Sequence, residues 1–162
     1  MGAGKTTVGR QLAARLALPF YDSDHEVEER TGVSVSTVFE IEGEEGFRRR
    51  ESAVIKELLS GAAVVLATGG GAVLREENRL AMKQNALVAY ISAEPRTLYE
   101  RTRHDRNRPL LQVSDPLQKL RDLHLQRDPF YREVASVVID GNRNNAKQIV
   151  EALIQEYQKC IA

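Results

Sequence analysis

Cysteine is almost missing from this sequence. Cys160 stands alone, so no internal disulfide can form, and its place two residues from the C-terminus, far from every motif below, reads as a tail position rather than a nucleophile. No stretch has the length and apolarity of a signal peptide or a membrane span, which points to the cytoplasm and to no membrane partner. Net charge is missing too: 23 Lys and Arg balance 23 Asp and Glu. No positive field therefore draws nucleic acid from a distance, and any anion must be held locally. Internal repeats and low-complexity segments are absent, which excludes a solenoid or a linker-rich chain.

What remains suits one packed domain over residues 1–162, with 42% apolar and 28% charged residues. Apolar spacing alternates between strand and helix, the pattern of an α/β protein with a parallel sheet covered on both faces. Val8, Leu12 and Leu16 predict a first helix ending before Pro19. Phe20 and Tyr21 lead a short strand ending at Asp22, and Ser23 with Glu26 reads as a capping box for a helix that Gly32 stops. A longer helix is expected over 43–60, with Gly61 as its stop. The runs 62–67 and 87–91 read as buried strands, with a helix over 76–84 between them. Pro95 opens a helix ending near Arg103, and Val137 to Ile139 forms the last strand. Ala146, Ile149, Val150, Leu153, Ile154 and Tyr157 share one face of a closing helix. His104 to Asp115 has neither periodicity and reads as a flap.

Gly2-Ala3-Gly4-Lys5-Thr6-Thr7 matches the second half of the phosphate-binding pattern G-x-x-x-x-G-K-[ST]. Gly2 and Gly4 let backbone N–H groups approach a phosphate, and the following helix presents its positive end. Lys5 would neutralise phosphate oxygens and the Thr6 hydroxyl would ligate Mg²⁺. The pattern's leading glycine would fall two residues upstream of Met1, with the strand that feeds the loop before it. The expectation is a sheet lacking that strand, with two neighbours left unpaired at about 1–3 kcal/mol per buried polar group, and hence a poorly stable chain.

Further motifs follow in order: Tyr21-Asp22-Ser23-Asp24, Gly46-Phe47-Arg48-x-x-Glu51, Thr68-Gly69-Gly70-Gly71, Arg108-Pro109-Leu110-Leu111 and Arg127-x-Pro129-x-Tyr131. Together with the glycine loop they resemble the shikimate kinase family over essentially the whole chain. The resemblance implies a P-loop NTPase fold, three-layer α/β/α and nucleoside monophosphate kinase-like, with its first strand missing here. It implies an acceptor-binding segment at about 22–60 and a lid at about 104–115. The implied activity moves the γ-phosphoryl group of ATP to the 3-hydroxyl of shikimate, in aromatic amino acid biosynthesis. A cytoplasmic monomer is the family expectation.

By that resemblance Gly2, Ala3, Gly4, Lys5, Thr6 and Thr7 bind ATP, and Asn144 touches its adenine. Asp24 orients or deprotonates the attacking hydroxyl, while Asp22 supports Mg²⁺ through water. Arg48 and Arg127 hold the acceptor carboxylate, which a planar guanidinium matches with paired hydrogen bonds. Gly70 contacts shikimate, with Gly69 and Gly71 shaping the turn. The flap brings Arg108 against the transferring phosphoryl group, so Lys5, Asp24 and Arg108 form the catalytic set. Spacing alone does not choose Arg48 over Arg49 and Arg50, and Arg101, Arg103 and Arg106 read as exposed charges. Two other functions share part of this evidence: a gluconate kinase-like enzyme, and a nucleotide-dependent switch without turnover.

Overall fold

The computed structural model describes residues 2–104 and 109–161. Helix α1 (Lys5–Leu16) follows the glycine loop directly, and Ala17 closes it in the left-handed conformation. Strand β1 (Phe20–Asp22) runs into α2 (Ser23–Thr31), whose end is the expected Gly32. The cap of α2 lies one residue earlier than the capping box predicts, because Asp22 accepts the Asp24 N–H at 3.1 Å.

Helix α3 spans Val35–Ser60 and breaks at Gly43, where φ is 70° and ψ is −179°. The expected helix after Gly43 is present, and a further helical stretch capped by Ser34 precedes it. Strand β2 (Val65–Ala67) is shorter than the apolar run 62–67, because its partner β1 has three residues and the register begins at Phe20 opposite Val65. A short 3₁₀ turn (Ala72–Leu74) leads to α4 (Glu76–Asn85). Strand β3 (Ala89–Ser92) starts two residues later than expected, since Val88 pairs with Ser136 just before β4 (Val137–Asp140) begins. Between these strands lie α5 (Pro95–Thr102), a 3₁₀ turn (Pro109–Leu111) and α6 (Pro116–Val134); α7 (Ala146–Ile161) ends the fold. The sequence reading had placed no helix at α6, although Asp115 caps it and Pro116 opens it.

The strands form two parallel pairs, β1 with β2 and β3 with β4. Among the described residues no strand joins β2 to β3. Both instead line one apolar cavity of about 370 Å³, together with Val8 and Leu12 of α1 and Leu153 of α7. The expected pair of unpartnered strands is therefore present, and β2 is half-buried where a strand covered on both faces was expected. The core is divided accordingly. Val8, Ile139, Ile149, Val150 and Leu153 pack α1, β4 and α7 together, while Val27, Val38, Phe47 and Val54 join α2 to α3. No helix among the described residues is long and apolar enough to cross a membrane.

Candidate active site

The strands are parallel within each pair, and residues that follow β2 and β3, Thr68 to Gly70 and Ala93, line one pocket with Ala3 and Lys5. Gly4 caps α1 with a φ of 83°, so the loop's backbone leads directly into the helix whose positive end favours a phosphate. Thr6, in the first turn of α1, donates its hydroxyl to Asp22 Oδ2 at 3.0 Å. The other oxygen of Asp22 holds the Asp24 backbone. Asp22 thus caps α2 with one oxygen and accepts the hydroxyl of the phosphate loop with the other. A hydroxyl and a carboxylate oxygen side by side form a hard oxygen pair, the donor type Mg²⁺ takes from a protein that leaves its remaining positions to phosphate and water.

Asp24 is largely buried, and burial together with the charge of Asp22 pushes its carboxyl above the usual aspartate value, against the opposing pull of Lys5 and Arg48. Arg48 is 7% exposed, whereas Arg49 and Arg50 face solvent. Successive helical residues turn by about 100°, so one of the three meets the site, and it is the one the resemblance selects. Arg48 Nη1 donates to Glu51 Oε2 at 2.6 Å, and Glu51 is completely buried. Burial raises the Glu51 carboxyl, with Arg48 and Arg127 acting the other way. Arg127, from α6, is 5% exposed, and its charge acts on the Glu51 carboxyl in the same direction as that of Arg48. The Nε–H of each finds no acceptor among the described residues, and Glu51 Oε1 finds no donor. Two buried cations with unspent donors form a cradle for a carboxylate.

The triple glycine follows β2 at this end. A Cβ on Gly69 would stand 2.5 Å from Glu51 Oε1 and 2.7 Å from Asp24 Oδ1, and one on Gly71 would overlap the Arg48 guanidinium. Close approach of three charged side chains, as well as access to a ligand, therefore demands glycine here. The Gly69 N–H donates to the buried Ser23 hydroxyl at 2.9 Å, and the Gly70 carbonyl accepts from the Tyr131 hydroxyl at 2.5 Å.

Sequence reasoning had given no role to Ser23 beyond a cap, and none to Glu51 or Tyr131. The i,i+3 spacing of Arg48 and Glu51 and the i,i+4 spacing of Arg127 and Tyr131 were the available signals. Asn144 donates its Nδ2 to the Asp140 carbonyl at 2.8 Å, closing the turn after β4. Arg101, read as an exposed charge, also donates to the Gly141 carbonyl at 2.8 Å, and Arg103 pairs with Glu100. Arg106 and Arg108 lie in 105–108, outside the described residues, as does that part of the expected lid.

A glycine loop at a helix start, a facing hydroxyl and carboxylate, and a buried acceptor pocket with its own aspartate define a P-loop kinase acting on a small molecule. The sequence profile of the shikimate kinase family matches residues 1–158, and the chain belongs to that family. It is 59% identical to the shikimate kinase of Dechloromonas aromatica over 159 residues, covering 98% of this chain and 87% of that one. A shikimate kinase from Acinetobacter baumannii, solved in complex with shikimate, superposes with a TM-score of 0.93 at 50% identity, covering 98% of this chain and 89% of that one. A gluconokinase from Sinorhizobium meliloti reaches a TM-score of 0.61 at 19% identity, covering 93% and 83%, which is a likeness of fold alone.

Proposed function

We propose that this chain transfers the γ-phosphoryl group of ATP to the 3-hydroxyl of shikimate, giving shikimate 3-phosphate and ADP. The observation that carries the reading is the pair of buried guanidiniums, Arg48 and Arg127, whose unspent Nε–H groups await an anion beside Asp24. An acceptor with a carboxylate at one end and hydroxyls at the other would satisfy both.

In this reading Arg48 and Arg127 grip the carboxylate and Gly69 to Gly71 border the ring. Asp24 takes the proton of the attacking hydroxyl as its oxygen bonds to the γ-phosphorus and ADP departs. The raised carboxyl of Asp24 makes it a better proton acceptor than an exposed aspartate. Lys5 and the loop 2–7 hold the phosphates. Thr6 and, through water, Asp22 would hold Mg²⁺, which when bound offsets charge on the phosphate oxygens. Arg108 at the transferring group and Asn144 at the adenine rest on the family resemblance. Every side chain assigned here comes from one chain, so a monomer suffices, and with no membrane or nucleic-acid feature the cytoplasm is its assigned place.

The test is ADP release from Mg-ATP with shikimate, gluconate, AMP or no acceptor. Saturable dependence on shikimate is the expected result. Dependence on gluconate or AMP would keep the fold and overturn the acceptor, and equal hydrolysis under all four conditions would mean a nucleotide switch.

A further inference from the structure

Tyr131 is a large polar side chain at the acceptor pocket that the proposed reaction leaves without a task. It stands four residues after Arg127 on α6, so the two project from one face of the helix. Its hydroxyl reaches across 61 positions of sequence to donate to the Gly70 carbonyl at 2.5 Å. Burial raises that hydroxyl above the usual tyrosine value, with the nearby charges of Arg127 and Arg48 acting the other way, so at neutral pH it is protonated and can donate.

The partner matters because of where it lies. Three successive glycines form the most freely rotating backbone a chain can offer, and a loop of them holds no geometry unless pinned. Within the turn the Gly69 and Gly71 carbonyls accept from the Ala72 and Leu74 N–H groups, and two further bonds pin the loop to opposite neighbours. Ser23, on α2, takes the Gly69 N–H, and Tyr131, on α6, holds the Gly70 carbonyl. α2 also carries Asp24, and α6 also carries Arg127. The loop is therefore the strap between the aspartate that faces the reacting hydroxyl and one of the cations that face the carboxylate.

We infer that Tyr131 is a positioning residue for the acceptor: through Gly70 it sets the spacing between the carboxylate cradle and the hydroxyl-facing end of the pocket. This deepens the proposed function and rests on it. The α6 end of the strap is itself held to the sheet, since the Tyr90 ring lies 4.9 Å from the Tyr131 ring and the Tyr90 hydroxyl donates to Asp128 Oδ1 at 2.7 Å. That second tie offers a control, because it anchors the same helix without touching the glycine loop.

Tyr131→Phe keeps the ring and its contact with Tyr90 but leaves the Gly70 carbonyl without its donor. The expected result is a rise of about tenfold in KM for shikimate, a KM for ATP within twofold of the parent, and a smaller loss in kcat, the pattern of weakened acceptor binding. Tyr90→Phe, which removes the hydroxyl bond from β3 to α6 but spares the strap, should leave KM for shikimate within twofold. An unchanged KM for shikimate in Tyr131→Phe overturns the inference. So does an equal rise in KM for both substrates, or an equal effect of Tyr90→Phe, since either would mean general loosening of α6. Failure of the functional reading looks different: the parent protein itself would then show no saturable response to shikimate.

Discussion

Arg48 and Glu51 form a buried pair at 2.6 Å, one helical turn apart, in which the carboxylate is wholly removed from water and the cation keeps an unspent donor. Glu51 holds the guanidinium in place, and Gly71 leaves the space it occupies. Arg48→Lys should raise KM for shikimate, because an ammonium cannot make paired contacts to a carboxylate. Arg48→Ala should also destabilise the fold by about 3–5 kcal/mol, since it strands a buried carboxylate. The urea midpoint checks the second effect. An unchanged midpoint would mean that Glu51 takes up a proton instead.

Asp24→Asn should lower kcat by about 10²-fold or more while KM for ATP stays within twofold. It removes a charge that burial disfavours, so the melting temperature at pH 7 should hold or rise. A kcat within threefold of the parent would move Asp24 from chemistry to structure.

The raised Asp24 carboxyl also sets a pH dependence with opposite signs for activity and stability. Activity needs the ionised form, so kcat should fall as pH drops through a value above 3.8. A folded-state value above the unfolded one favours the native state while the group is protonated, and that contribution is lost as pH rises through the same window. Subtracting the pH–melting curve of Asp24→Asn from that of the parent isolates the term. A difference that grows in favour of the parent with rising pH would contradict the direction.

Lys5→Ala should abolish turnover with the far-ultraviolet circular dichroism unchanged, because Lys5 begins α1 at the phosphate loop and contributes nothing to the three core clusters. Near-normal turnover would remove the loop from the mechanism.

Much of this arrangement was legible locally. Most of the order of helices and strands, the stops at Gly32 and Gly61 and the glycine loop follow from spacing over a few residues, whereas the helical stretch ahead of Gly43 does not. Strand lengths were not legible. Residues 62–64 look like strand but have no partner, because β1 is three residues long, and a strand exists only where its hydrogen bonds are taken up. Helix α6 was not legible because Pro129 lies in its interior and reads as a break, although Asp115 caps it and Pro116 opens it.

The sequence by itself determined the motifs and their order, since each depends on residues within one turn or loop. Only the tertiary structure decided which of Arg48, Arg49 and Arg50 is buried, why Gly69 and Gly71 admit no side chain, and how Asp24 comes to resist ionisation. Those properties arise from desolvation and close packing among residues far apart in the chain, from Asp24 through Glu51 and Gly70 to Tyr131, and no short-range pattern encodes them.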